Sequence, residues 1–236
     1  MPQLEIAKEA QNKVRSNQVK SRQRVTDHGE VFTAEREVNA MLDLVKQETE
    51  NIDSNFLEPA CGTGNFLVEV LRRKLQIVEG RYKKNQLEFE RYSVIAISSI
   101  YGVDILEDNV KNCCERLFKI FDEKYTLLYK DKCKEECKDS IRFILNRNIL
   151  WGDALTLKTV GQNIQPIIFS NWSLVRGSMI KRSDYIFAEL IPKDNKNYDL
   201  FNEIKDSDLG TPSFIPNSVK EFPLTHFLKL TDSAAD

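Results

Sequence analysis

The sequence predicts an α/β fold, a mostly parallel sheet covered by helices, on three observations. Short apolar runs recur near residues 55, 101 and 149, and each reaches an acid within a few residues. Longer stretches between them repeat their apolar residues at helical spacing. The first run passes through a proline into a turn with two glycines, "EPACGTGNF", directly before a helix. Strands alternating with helices make the βαβ rhythm of a parallel sheet.

Residues 1–24 read as a basic arm. "KEAQNKVRSNQVKSRQR" carries Lys8, Lys13, Arg15, Lys20, Arg22 and Arg24 with only Glu9 opposing. Such an arm suits phosphate contact, and it equally suits a solvated helix or a frayed terminus. Residues 25–160 form the α/β core. "EREVNAMLDLVKQETE" puts Val38, Met41, Leu42 and Val45 on one helical face. Residues 55–57 end a strand. From Asn65 to about Ile77 the spacing predicts a helix with Phe66, Leu67, Val70, Leu71 and Leu75 inward and Arg72, Arg73 and Lys74 outward.

"QLEFERYSVIAISSIYG" is a second helix running into a strand at Tyr101–Val103. "EDNVKNCCERLFKIF" and "KEECKDSIRFILNR" are two more helices, and "NILWGDAL" is a short strand that stops at Asp153. Residues 161–236 change texture. "PIIFSNWSLV" and "SDYIFAELI" read as an antiparallel strand pair around the polar "RGSMIKR". Beyond Pro192 the chain is polar, with Pro212, Pro216 and Pro223, and reads as an extended tail that offers a surface to a partner.

Composition limits the function classes. The 236 residues are 41% apolar, enough for a core, and 34 bases nearly balance 36 acids. The chain is no polycation, so nucleic-acid binding requires a local patch. Five cysteines, two of them adjacent, make no secreted disulfide framework. Two histidines and no paired CxxC knuckles leave zinc without a ligand set. No secretory signal or membrane-length apolar run stands out. The expectation is a reduced cytoplasmic protein without a metal.

The glycine turn carries the chemistry. A strand that ends in such a turn and opens a helix is how α/β proteins bind nucleotide-like ligands, although two glycines alone also occur in ordinary turns. Gly62 and Gly64 lack Cβ, so a ligand can approach the backbone. "GTGNFL" has no Gly-Lys-Ser for phosphates, and Leu67 stands where a dinucleotide turn has its third glycine. The turn carries Glu58 instead, which repels phosphates and suits an ammonium group. Asp104 ends the next strand, where a carboxylate can take both hydroxyls of a ribose. Asp153 ends the third, where it can accept from an exocyclic amine. An ammonium group, a ribose and an adenine amine without phosphates describe S-adenosylmethionine.

The segments "HGEVFT", "FLEPACGTGNF", "YGVDI" and "GDAL", within residues 28–155, resemble four ordered motifs of the N6-adenine DNA methyltransferases of bacterial restriction–modification systems. The resemblance implies a Rossmann-like class I methyltransferase fold with helices on both faces of the sheet. It implies that Phe32 and Thr33 meet the methionine end of S-adenosylmethionine, with Glu58, Ala60, Gly62 and Gly64 around the methionine and sulfur. Asp104 would hold the ribose, Ile105 would pack on the adenine, and Asp153 would read its amine. The implied reaction needs neither a metal nor a covalent intermediate.

Two departures matter. Ala34 stands where the family usually has proline after the threonine. More importantly, the Asn-Pro-Pro-Tyr that holds a flipped adenine is missing, since the sequence contains no Pro-Pro. "PIIFSNWS" supplies only Asn171 and Trp172, weak stand-ins for the amide and the aromatic, and Trp172 reads better as a residue packed in a core or at an interface.

Three readings follow: a split enzyme whose partner chain brings the missing strand and DNA recognition, a self-sufficient enzyme using "SNWS", or a non-catalytic module that binds S-adenosylmethionine. Sheet physics favours the first. In this fold class the first strand is central, and without the fourth strand it keeps unpaired backbone groups. Either the late strand pair caps that edge or a partner adds to it, so the fold is expected to be incomplete in a single chain. Cys61 reads as a small filler beneath the turn. His28 could touch the ligand, but ordinary loop bonding accounts for it too.

Overall fold

The computed structural model describes residues 20–28, 30–191 and 217–234. Helices α1 (Arg22–His28), α2 (Glu35–Leu44) and α3 (Lys46–Glu50) lead into strand β1 (Phe56–Glu58). Helices α4 (Asn65–Tyr82) and α5 (Gln86–Ser98) precede β2 (Ile100–Asp104). Helices α6 (Glu107–Tyr129) and α7 (Glu135–Asn148) precede β3 (Ile149–Asp153), and β4 (Lys158–Thr159) follows. The sheet order is β1-β2-β3-β4, with the first three strands parallel and β4 antiparallel. Glu58 pairs with Gly102, and Asp104 with Trp151, so the acids at the strand ends share one edge of the sheet.

Strand residues alternate between the two faces. Ile100 and Ile149 join the main core, where α4–α7 bury Leu71, Leu75, Val94, Phe121 and Ile141. Each such fully buried side chain contributes about 1.5–3 kcal/mol. Tyr101 and Val103 face the other way, into a smaller core with Ile167, Phe169, Phe187 and Leu190. That second face, expected to lie under helices, is covered by a hairpin of β5 (Ile168–Arg176) and β6 (Met179–Ile186) and the short helix α8 (Phe187–Leu190). The Tyr101 hydroxyl donates to the Ser170 carbonyl at 3.1 Å, and its ring stands edge-on to Phe169 at 5.3 Å.

The late strands do pair antiparallel, but with other bounds than expected. The connection is only Gly177–Ser178, with Gly177 at φ 57°. Residues 179–182 of "RGSMIKR" belong to β6, because Arg182 is buried against Asp184 and Ser170 rather than solvated. The "FAEL" segment is α8. The tail is not simply extended either. Strands β7 (Lys220–Glu221) and β8 (Thr225–His226) pair with β6, and Phe222, Phe227 and Leu230 are buried. Pro192, Pro212 and Pro216 lie outside the described residues.

Two helical expectations change. Val45 interrupts its helix into α2 and α3, and only Val38 and Leu42 of the expected face are buried, with Met41 left exposed. Lys74, expected outward on α4, is fully buried. Its ammonium donates to the carbonyls of Ile52 and Ser54 and to Ser99 Oγ, fastening α4 to the loop that enters β1. Burial lowers its pKa to about 7.

The hairpin forms a separate sheet with β7 and β8 and does not cap β1. Among the described residues β1 has a strand on one side only. An open edge at a strand so near the core is the main structural anomaly of the fold.

Candidate functional site

The glycine turn is held in place from both sides. Cys61 N–H donates to the Val103 carbonyl at 2.9 Å, prolonging the β1–β2 pairing into the turn. Gly62 (φ 53°) and Gly64 (φ 84°) both lie in the left-handed region, where a side chain is costly. A Cβ on Gly62 would stand 3.2 Å from the Phe32 ring. A Cβ on Gly64 would stand 2.5 Å from Cys113 Sγ of α6. The Arg116 guanidinium on α6 donates to the Thr63 carbonyl at 2.6 Å and to Asn65 Oδ1 at 2.8 Å, fixing the turn's far side. Asn65 in turn donates to the Thr33 carbonyl at 3.1 Å, bringing the entry segment beside the turn.

A cavity of about 960 Å³ opens at the C-terminal ends of β1, β2 and β3. Phe32 and Thr33 line it from the entry segment, and Glu58, Ala60 and Gly62 from the glycine turn. Asp104 and Ile105 line it from the end of β2, and Asp153 from the end of β3. Gly64 does not line it; that glycine opens α4 and gives Cys113 its space. The structure thus brings eight of the nine expected cofactor residues together.

The lining is acidic. It includes Asp27, Glu30, Glu58, Asp104 and Asp153, and none of the described lining residues is lysine or arginine. Burial pushes the Glu58 carboxyl above its ordinary pKa, offset only in part by the Ala60 N–H at 3.4 Å, so a cation nearby would stabilise its charged form. Asp104 is 8% exposed and accepts from Gly62 N–H at 2.8 Å and Leu106 N–H at 2.9 Å. It therefore ties β2 to the glycine turn as well as facing the cavity. Asp153 accepts from Leu155 N–H at 2.9 Å and from the Thr156 hydroxyl at 3.0 Å, which hold its carboxyl below the usual range. Ile105, 47% exposed, presents an apolar side chain whose backbone carbonyl accepts from the Trp151 indole at 2.9 Å.

The acidic lining is unsuited to a phosphate chain. Phosphates require opposing cations or a free run of backbone N–H groups, whereas here carboxylates face the space.

Asn171 and Trp172 are elsewhere. Both line a second, polar cavity of about 600 Å³ with residues 51–53 and 55 of the loop before β1 and with Ser98 and Ser99 before β2. That is the opposite end of the sheet. The Trp172 indole donates to Asn148 Oδ1 at 3.1 Å, and its ring packs edge-on to Phe143 at 5.9 Å. These are the contacts of a packing residue, and the "SNWS" stretch does not reach the first cavity.

Sequence reasoning overlooked Glu30, Met41, Asn65 and Asn109, all of which line the first cavity. Glu30 sat in plain view inside "HGEVFT". Asn109 had only its spacing from Asp104 to mark it. Of the basic arm, Lys20 and Arg24 are engaged inside the chain, both on Asp108, at 3.0 Å and 2.7 Å. Lys8, Lys13 and Arg15 lie outside the described residues, as does the side chain of His28. Cys61 is buried beneath the turn, against the backbone of Gly102. No cluster that could hold a metal occurs among the described residues, and no described helix is long and apolar enough to cross a membrane.

Fold and cavity are compatible with a methyltransferase domain. The family model "MmeI, DNA-methyltransferase domain" matches residues 32–164, more than half of the chain, and the chain belongs to that family of restriction-system DNA methyltransferases. No curated protein and no solved structure gives a match.

Proposed function

We propose that this chain is the S-adenosylmethionine-binding part of an adenine-N6 DNA methyltransferase of a restriction–modification system, with the target-adenine pocket and DNA recognition supplied by a partner chain. The observation that carries the reading is the acidic lining, with no lysine or arginine among its described residues, at the ends of three adjacent parallel strands. When bound, S-adenosylmethionine supplies an electrophilic methyl group. The residues of this chain bind and orient it. Glu58, short of a cation, suits the ammonium of the methionine end, beside Phe32, Thr33, Ala60 and the bare backbone of Gly62. Asp104 suits the ribose hydroxyls, Ile105 offers the adenine an apolar surface, and Asp153 suits its exocyclic amine. The contribution to rate is positioning and the exclusion of water.

The acceptor side would come from the partner. A flipped adenine needs its amine held and its ring stacked, and the chain's only imitation of that motif is at the other end of the sheet. The open edge of β1 supports addition of a strand there. The same placement of Asn171 and Trp172 leaves the self-sufficient reading without support. Equilibrium titration tests the cofactor assignment. The expected order is S-adenosylmethionine and S-adenosylhomocysteine bound at least roughly tenfold tighter than ATP, because a few carboxylates facing a phosphate chain cost several kcal/mol. ATP binding the tighter would overturn it.

A further inference from the structure

A line of polar contacts runs from the cavity floor to the N-terminal segment. Asn109, 1% exposed on the first turn of α6, donates from its amide nitrogen to Asp104 Oδ1 at 3.2 Å and to Glu30 Oε1 at 2.7 Å. Its amide oxygen accepts from Lys20 Nζ at 2.8 Å and from Arg24 at 3.2 Å. The orientation of this amide follows from its neighbours: the NH₂ faces two carboxylates and the oxygen faces two cations. Arg24 also donates to both carboxylate oxygens of Asp108, at 2.7 Å and 3.1 Å, and to Glu30 Oε1 at 2.8 Å. One guanidinium therefore joins α1, the entry segment and α6.

Asp104 receives two backbone N–H groups and one side-chain donor. The backbone donors belong to the turns on either side of the cavity. Among the described residues, the Asn109 amide is the link from Asp104 to Glu30 and, through Lys20 and Arg24, to the N-terminal segment. We propose that Asn109 is a positioning residue that holds the Asp104 carboxylate toward the ribose of the cofactor, and that Arg24 latches α1 and Glu30 onto Asp108 to keep Asn109 in that orientation. The inference rests on reading the cavity as the S-adenosylmethionine site. It assigns to the described end of the basic arm an internal task, completing the cofactor site, in place of contact with DNA.

The test uses the full chain, titrated with S-adenosylhomocysteine and with its 2′-deoxy analogue. The wild-type chain should bind the deoxy analogue about tenfold more weakly, the scale of one lost hydrogen bond to a charged group. Asn109→Ala should weaken the parent ligand about tenfold, leave the deoxy analogue within about twofold of wild type, and so abolish the discrimination. Arg24→Met, on a partly exposed segment, should do the same, and Arg24→Lys should recover part of it because a point charge cannot hold both Asp108 and Glu30 as a fork does. A structural role alone would weaken both ligands equally and keep the tenfold discrimination; that result overturns the proposal. Should Asn109→Ala fail to fold, Arg24→Met decides on the same comparison. Failure of the wild-type chain to bind S-adenosylhomocysteine would overturn the reading of the cavity itself.

Discussion

Gly64→Ala will destabilise the chain by about 2–5 kcal/mol, the larger part from one contact. Two costs combine at this position. With φ at 84° the residue is in the left-handed region, which costs a non-glycine residue about 1–2 kcal/mol. The new Cβ would also stand 2.5 Å from Cys113 Sγ, and Cys113 is itself fully buried on α6. Overpacking of that kind costs about 1–3 kcal/mol. The two contributions separate in a double mutant. Cys113→Ala removes the offending sulfur, so the penalty of Gly64→Ala measured in that background should shrink to the backbone part, about 1–2 kcal/mol. Urea denaturation of the four proteins reads all these values. A Gly64→Ala penalty below about 0.5 kcal/mol, or one unchanged by Cys113→Ala, would refute this account of the turn.

The second large effect is on the ligand. Asp104→Asn should weaken S-adenosylmethionine binding about a hundredfold with a smaller loss of stability, because an amide keeps the shape and loses the chemistry. Both carboxylate oxygens accept backbone N–H groups, from Gly62 and Leu106. An asparagine has one accepting oxygen, so its NH₂ must face one of those donors, and the carboxylate that suits a ribose is gone. Asn171→Ala serves as the control. Asn171 lines the cavity at the other end of the sheet, and its loss should leave binding within about twofold. Calorimetric titration of both variants makes the comparison. Equal effects from the two would mean that the ligand does not sit where the strand tips converge.

Much of this candidate site is legible in the sequence, for a physical reason. Glu58, Asp104 and Asp153 end short apolar runs, and parallel strands bring such ends to one edge whatever the helices between them do. The glycine turn marked the helix start. What sequence could not supply was the direction of single side chains. Lys74 has the spacing of an outward residue, yet three oxygens of a distant loop and of Ser99 draw it inward. Asn109 looks like an ordinary polar residue at a helix start until Glu30 and Arg24, some eighty positions earlier in the chain, are seen to meet it.

The late hairpin misled for a related reason. "RGSMIKR" is polar by composition, but Arg182 is neutralised by Asp184 two residues on, which lets a strand continue where solvent was expected. Gly177 alone is enough for the turn. "SNWS" was attractive as a motif because an amide precedes an aromatic. Its placement depended on which way the hairpin crosses the sheet, and local sequence does not encode that. The open edge of β1, by contrast, could be anticipated from strand order, and in the described residues the hairpin leaves it open.

On the proposed function, this chain holds the methyl donor and a partner holds the base. Transfer of tritiated methyl from S-adenosylmethionine to unmethylated DNA tests it most directly, run with this chain alone and then with the product of the neighbouring gene added. The account predicts no transfer from the chain alone and transfer from the pair. Transfer by the chain alone would contradict it, since a complete target pocket would then have to lie within these residues.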